Sequence, residues 1–431
     1  DVLKEGRKNL RSEEIKSRSA AIKPDDLMTL IYSSGTTGQP KGVMLSHSNI
    51  MFIAITFCRV EMLQVGDILL SLLPLSHAVE RSMGYYALLM AGGIICYSRG
   101  TEFFAEDVLE IRPNIGVFVP RVFEKVYNGI QAKVATAPAG KQKLFNRAVA
   151  VGKEAAPYFM ANRKLPFILG LKYKLFDKLI FSKLKETMGF ERTRVFGAAG
   201  APLLPEIHDF FWGLNMQIRK GYGLTETSPV AIANPVTIQE WSGQIGVPVP
   251  STEAAILDDD GGPIPLGEVG EICLRGPQVM KGYWNQPQES AKVFTPNGWL
   301  RTGDMGVMDE HGSIRITDRK KDMIVVSGFK VFPNEIEDVL ALHPDVLEAA
   351  AIGIKDERSG EAVKVVIVAG NPALTEADVL AHCNRHLTGY KIPRVIEFRT
   401  EPLPKSNIGK ILRRELRDKV ATNPRTPGGG G

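Results

Sequence analysis

The sequence predicts an α/β protein: a large N-terminal α/β domain with parallel-type sheet layers and a small β-rich subdomain, then a small C-terminal α+β domain. Three observations carry that expectation. Along residues 28–222, short apolar runs alternate with helical patterns, the order of layered βα units. From Gly243 to Ile316 the runs shorten and Gly and Pro turns multiply, as in a β-rich unit. After DRKKD at 318–322, strand, helix and strand signals follow over about 110 residues, a usual domain size.

The elements follow in order. MTLIY at 28–32 reads as a buried strand that feeds the polar loop SSGTTGQPKG. Ser48 is a good N-cap residue before an apolar run, so a helix is expected from there. DILLSLLPLSH reads as a strand ending in a Pro-marked loop, GYYALLMAGG as a helix, and GIICYS and IRPNIGVFVP as strands. Residues 121–189 are helical by pattern, with a break near Pro138. TRVFGAAGAPL and QIRKGYGLTET each read as a strand running into a loop. MIVVSG, FPNEIEDVLALH, EAAAIGI and AVKVVIVA give strand, helix, strand and strand in the last domain. The expected division is 1–320, with a basic helical insertion at 121–189 and the β-rich subdomain at 243–316. Residues 321–420 form the C-terminal domain, and 421–431, ending in TPGGGG, a disordered tail.

Composition excludes several classes. With 431 residues, 44% hydrophobic and 23% charged, the chain matches ordinary globular proteins. Cys58, Cys96, Cys273 and Cys383 form no CxxC pair or metal-ligand cluster, so a reducing cytoplasmic setting is expected. The first twenty residues are polar, unlike a signal peptide, and no apolar stretch has the length of a membrane helix. The chain starts at Asp1, and a phosphate-loop-like motif arrives by residue 33, so it is expected to lack an N-terminal subdomain. Charge is uneven: 14 basic and four acidic side chains between Arg121 and Glu186 give a local +10, against +5 for the whole chain. That surplus reads equally as a solvated helical face or as a peripheral docking surface for anionic membrane, on the inner face of the membrane. No recognisable nucleic-acid module accompanies it, so no nucleic-acid partner is expected.

Ser33, Ser34, Gly35, Thr36, Thr37, Gly38, Gln39, Pro40, Lys41 and Gly42 combine small residues, hydroxyls and one lysine. Small residues let backbone N–H groups approach phosphate oxygens, and hydroxyls add donors. It is not a Walker loop, because Pro40 precedes Lys41 and Gly42 follows it. By itself it reads as a phosphate loop or as a polar turn after a strand.

This stretch resembles the signature of the acyl-adenylate-forming superfamily, which holds acyl-CoA synthetases, peptide-synthetase adenylation domains and firefly luciferases. Further motifs follow in family order over nearly all of residues 24–416. LPLSH at 73–77 is similar to the next motif, whose histidine, here His77, sits near the carboxylate and α-phosphate; a lone histidine is otherwise more often a core residue. GAAGAPL, with Gly200, Ala201 and Pro202, resembles the loop lining adenine. In GYGLTET the resemblance implies that Tyr222 stacks on adenine beside Gly223, Thr225 contacts phosphate oxygens, and Glu226 holds Mg²⁺. One carboxylate plus nucleotide phosphates suits that ion. The resemblance places Asp304 of WLRTGDMG on the ribose hydroxyls and Arg319 of ITDRKKD on ribose and phosphate, where a planar guanidinium fits better than an ammonium. Lys321 matches the hinge about which the family's mobile C-terminal domain rotates between two half-reactions. Ser327, Gly328 and Phe329 match the turn lining the pantetheine path of coenzyme A, and Lys410 matches the catalytic lysine that meets charge at the α-phosphate.

The resemblance therefore implies ATP-dependent activation of a carboxylic acid as acyl-AMP, with Mg²⁺, and transfer to coenzyme A. PLSHAVERSMGYY and FVPRVFEKVYNGI resemble long-chain acyl-CoA synthetases with a helical insertion, whereas the C-terminal motifs resemble the bacterial long-chain group. Both branches handle long fatty acids. Other adenylating enzymes, acyl-AMP or aryl-CoA ligases, and a truncated nucleotide binder without catalysis are the competing readings. An oligomer is open.

Overall fold

The computed structural model describes residues 2–8, 10–33, 40–200, 203–234, 243–405 and 411–422. The expected sites Ser34, Gly35, Thr36, Thr37, Gly38, Ala201, Pro202 and Lys410, and the tail beyond 422, lie outside the described residues.

The central layer is a seven-stranded sheet. Its strands stand in the order Ile94–Tyr97, Ile68–Ser71, Ile115–Phe118, Val195–Ala198, Gln217–Tyr222, Ile232–Ala233 and Val247–Pro248. The first five are mutually parallel, and the last two turn antiparallel. Ile115–Phe118 is buried along its whole length, as expected of a parallel strand covered on both faces. In such sheets ligands sit beyond the carboxyl ends of the strands. Here those ends lead into the segments that begin at 72, 199 and 223.

Helices Pro120–Ala135, Ala139–Met160, Phe167–Phe176 and Ser182–Met188 fill the 121–189 region; Pro138 sits at the first break. They cover the sheet through an aromatic core in which Phe123 meets Phe196 edge-on at 5.7 Å and Phe211 at 5.6 Å. Gly152 lets Ala139–Met160 approach helix Pro205–Gly213: a Cβ there would lie 3.0 Å from the Gly213 carbonyl oxygen.

The expected N-cap at Ser48 is corrected by two residues. Helix His47–Val60 begins after Ser46, whose hydroxyl accepts from the Asn49 N–H at 3.3 Å while the Asn49 side chain accepts from the Ser46 N–H at 2.9 Å. That reciprocal box satisfies two orphan donors, which Ser48 at the first turn cannot do. GYYALLMAGG is helical but starts earlier, as a π-helical turn Glu80–Tyr86 continued by Ala87–Ala91.

Strands Leu27–Ser33 and Lys41–Ser46 pair antiparallel, with Ser33 opposite Lys41, and Gly282–Tyr283 adds a third strand. Strands Glu253–Leu257, Gly270–Arg275, Leu300–Met308 and Ile314–Arg319 form a separate four-stranded antiparallel sheet. Two short strands of the 243–316 stretch thus leave it: Val247–Pro248 extends the central sheet and Gly282–Tyr283 joins the hairpin. The last sheet contains Ile324–Val326, Phe329–Val331, Val346–Asp356, Gly360–Ala369 and Val395–Arg399, packed against helices Pro333–Ala341 and Glu376–His386.

Candidate active site

Tyr222 closes its strand beside Asp304, on the four-stranded sheet. Its hydroxyl donates to Asp304 Oδ2 at 2.7 Å. Asp304 is 6% exposed and stands opposite Arg319 in the antiparallel ladder, with Arg319 Nε 3.5 Å from Oδ1. The Thr302 hydroxyl accepts from the Asp304 N–H at 3.1 Å and fixes the backbone. Burial, and the Asp304 charge beside it, push the Tyr222 phenol well above its usual range, so it stays a donor. Lys321, two residues beyond Arg319, is pushed down by partial burial and by Arg319. Three residues expected at one nucleotide are therefore in direct contact.

A second cluster lies alongside. The Tyr283 hydroxyl donates to Glu226 Oε1 at 2.8 Å, and the Met280 N–H donates to the Glu226 carbonyl at 2.9 Å. Lys41, 8% exposed, puts its ammonium 2.6 Å from Glu289 Oε2 and 4.9 Å from the Tyr283 ring centre. Hydrogen bonds from Lys292 and Lys41 hold the Glu289 carboxyl down at about 2. Thr225 and Glu226 lie on a 3₁₀ turn, Thr225–Thr227, whose entry is tied by the Leu224 N–H to the Thr227 hydroxyl at 2.8 Å. Gly223 has no substitute, since a Cβ would collide with the Pro229 carbonyl. Tyr283 and Glu289 contact the expected residues Glu226 and Lys41 and are not picked out from sequence, because nothing local ties them to positions 57 and 248 residues away.

His77 lies on the 73–77 loop, where its Nδ1 accepts from the Val79 N–H at 3.2 Å. That bond leaves Nε2 as the protonated nitrogen of the neutral ring, and partial burial lowers the pKa. Arg81 ties this loop to the hairpin by donating to Thr29 Oγ1 at 2.6 Å. Ser33 ends the first hairpin strand, and Gly200, with φ +92°, follows strand Val195–Ala198. Gly328 and Phe329 are placed elsewhere: Ser327 and Gly328 turn a tight hairpin with φ of 51° and 84°, and the Phe329 ring stacks on Tyr390 at 4.7 Å. Their described contacts do not join them to Tyr222 or Asp304.

Next to the Tyr222 strand is a mostly apolar pocket. Ile53, Phe57, Met83, Val117, Val230 and Val249 line it, with Gly197–Ala199 and Gly221 on the sheet side. It is therefore walled by the chain segments that run directly into Gly200 and Tyr222.

Arg413 gathers the C-terminal sheet onto the ladder. It contacts Glu337 through Nε at 2.9 Å and Nη2 at 2.5 Å, Asp318 through Nη1 at 3.2 Å, and the Asn334 side chain at 2.5 Å. Arg417 pairs with Asp322 and donates to the Lys321 carbonyl at 3.2 Å. The expected hinge residue Lys321, itself exposed, is thus tied through its carbonyl to the edge of this charge network.

The donor chemistry fits Mg²⁺. Glu226 offers a carboxylate with one oxygen held by Tyr283, and among the described residues no group of three His, Cys, Asp or Glu forms a metal cage. Mg²⁺ commonly takes one or two carboxylates and completes its shell with phosphate oxygens and water.

Residues 2–284 match the family described as AMP-binding enzyme, and residues 335–410 match the AMP-binding enzyme C-terminal domain. The chain is 40% identical over 401 residues to a long-chain-fatty-acid–CoA ligase of Escherichia coli O6:H1 (strain CFT073), covering 92% of this chain and 62% of that protein. It is 39% identical over 410 residues to a ligase of the same name from Yersinia pestis, covering 93% and 64%. The chain thus spans less than two thirds of the length of these curated relatives. Among solved structures, ATP-bound MatB from Rhodopseudomonas palustris is similar with a TM-score of 0.73 at 27% identity, covering 92% of this chain and 69% of that one.

Proposed function

The chain belongs to the AMP-binding enzyme family, and from that premise we propose that it serves an ATP-dependent ligase that activates a long-chain fatty acid as acyl-AMP and passes the acyl group to coenzyme A, releasing AMP and pyrophosphate. The observation that carries the reading is the contact of Tyr222, Asp304 and Arg319, drawn from two different sheets, where the Tyr222 strand also borders an apolar pocket. The relatives named as long-chain-fatty-acid–CoA ligases support the substrate class.

Each residue has a definite task in this reading. The ionised Asp304 carboxylate only accepts, so it suits the ribose hydroxyls, and Arg319 adds a planar donor for ribose and phosphate. Tyr222 presents its ring to adenine while its hydroxyl is kept on Asp304. Mg²⁺ would be held by Glu226 and supplies neutralisation of phosphate charge. His77 faces the carboxylate, Ser33 and Lys41 flank the phosphate loop with Ser34, Gly35, Thr36, Thr37 and Gly38, and Thr225 reaches phosphate oxygens. Lys410 meets the negative charge that grows when the carboxylate attacks the α-phosphate, a contribution of ~10²–10³ in rate for such donors. The acyl-adenylate is already activated, so thiol attack needs positioning rather than a protein nucleophile. Gly328 and Phe329 serve the pantetheine arm after the C-terminal domain turns about Lys321.

The test is acid-dependent ATP–pyrophosphate exchange over a fatty-acid length series, followed by acyl-CoA formation. Exchange that needs a long-chain acid and disappears in Lys410→Ala is the expected result. Exchange that is equal in both proteins, or an acceptor other than coenzyme A, overturns it.

The fatty acid partitions into membranes, and one helix supports peripheral contact there. Phe167, Ile168, Leu171 and Leu175 are 81%, 68%, 57% and 56% exposed on helix Phe167–Phe176, and Lys172, Lys174 and Lys178 are exposed beside them. Apolar side chains at helical spacing with flanking lysines suit the interface of an anionic bilayer. Among the described residues, no helix is long and apolar enough to cross a membrane. Co-sedimentation with anionic vesicles should fall when the three lysines become glutamine; unchanged binding rejects this contact.

A further inference from the structure

The pocket beside Tyr222 is mostly apolar; Thr56, Glu61, Arg219 and Lys220 are its polar lining residues, and two of them pair with each other. Glu61 caps the C-terminus of helix His47–Val60, and Arg219 lies three residues before Tyr222 on its strand. Both line the pocket. At about 3.3 Å per residue, Arg219 is roughly 10 Å further from the nucleotide loops than Tyr222. Its Nη1 is 3.2 Å from Glu61 Oε2, and the two side chains are 11% and 10% exposed.

That pair is electrostatically matched but poorly bonded. Arg219 Nη2 donates to Gln217 Oε1 at 3.2 Å, yet neither Arg219 Nη1 nor Glu61 Oε2 makes a hydrogen bond among the described residues. Buried polar atoms of this kind are costly unless a partner arrives. An apolar chain growing along the pocket brings its methyl end against this charged pair and offers it no hydrogen bond. A terminal hydroxyl can accept from the guanidinium and donate to the carboxylate.

We propose that Glu61 and Arg219 form a polar end-stop in the acyl pocket, which sets the acyl length by rejecting a methyl end that reaches it and tolerating a hydroxyl end there. This rests on the ligase reading only in taking the pocket as the acyl site. The pair is a specificity determinant, distinct from the nucleotide-binding and catalytic residues.

Displacement of a fluorescent fatty acid by saturated acids of graded length reads the pocket without catalysis. In the wild-type chain affinity is expected to rise with length and break at one length. At the first length beyond the break, the ω-hydroxy acid is expected to bind more tightly than the plain acid. The double variant Glu61→Met, Arg219→Met replaces the pair with apolar groups of similar reach, a change that folds commonly tolerate. It should move the break to longer acids, bind the first rejected acid about tenfold more tightly, and reverse the hydroxyl preference. An unchanged break in a folded double variant overturns the proposal, as does a wild-type chain that binds no acid. If the variant does not fold, the wild-type comparison of hydroxy and plain acids decides alone, and equal affinities overturn the end-stop. Binding without pyrophosphate exchange would instead defeat the ligase reading and leave the end-stop standing.

Discussion

The Tyr222 hydroxyl reaches the Asp304 carboxylate at 2.7 Å across 82 residues of sequence, and so joins the central sheet to the four-stranded sheet at the proposed nucleotide site. Tyr222→Phe keeps the ring and removes the donor from a carboxylate that is 6% exposed. The expected cost is about 1–3 kcal/mol of stability, read by denaturant unfolding, with little change in ATP affinity. Asp304→Asn should do the reverse in kind, weakening ATP binding by about tenfold as measured by nucleotide titration. Equal ATP affinity in Asp304→Asn would remove Asp304 from the nucleotide site.

Tyr283 orients Glu226 from outside the expected metal position. Partners of this type typically contribute 10- to 100-fold to metal affinity. Tyr283→Phe should therefore raise the Mg²⁺ concentration for half-maximal exchange by about tenfold while leaving the fatty-acid dependence intact. A variant with the wild-type Mg²⁺ profile would show that Glu226 is positioned by the backbone alone.

Glu80 is 1% exposed, and burial of its carboxyl outweighs the opposing hydrogen bonds from Ser71 and the Leu73 backbone. Burial pushes its pKa up to about 7 from 4.5. The folded chain therefore holds this proton where the unfolded chain has lost it, and stability falls as pH rises from 4.5 to about 7, then stays level. Glu80→Gln removes that fall. It should stabilise the protein by up to about 3 kcal/mol at pH 8 and leave it unchanged at pH 4, measured by urea unfolding at each pH. A uniform shift at both pH values would mean that shape, not charge, governs the site.

Arg413 holds three acidic residues, Asp318, Asp322 and Glu337, that are 1%, 9% and 16% exposed. Arg413→Met leaves those charges without their shared partner, and such a loss commonly costs about 3–5 kcal/mol. Arg413→Lys restores charge but not the planar contact with Glu337, so it should recover only part of the loss in chemical denaturation. Full recovery by lysine would show that only the charge matters.

Much of the fold follows from local pattern. The apolar run at 115–118 gave a strand buried at every residue, and Pro138 marks the first break in the helices over 120–188, as its missing N–H and fixed φ require. Local reading failed by two residues at Ser48, because Ser46 and Ser48 are equally good caps by type. What separates them is Asn49, three residues after Ser46, which returns the hydrogen bond.

Asp304, Arg319 and Tyr222 could be named because each sits in a short stretch that resembles a motif of the family; by residue type alone each also reads as a core residue or a surface ion pair. Their mutual contact could not. It depends on the ladder that sets Asp304 opposite Arg319, and on the packing of two sheets against each other. The same holds for Lys41 with Glu289 and for Arg219 with Glu61, whose partners are decided by topology rather than by neighbouring sequence. Backbone hydrogen bonds and side-chain periodicity act over a few residues, so the chain alone determines where strands, helices and motif loops begin. Burial and charge pairing act across space, so only the folded structure decides which of those residues share a site and how their charges are held.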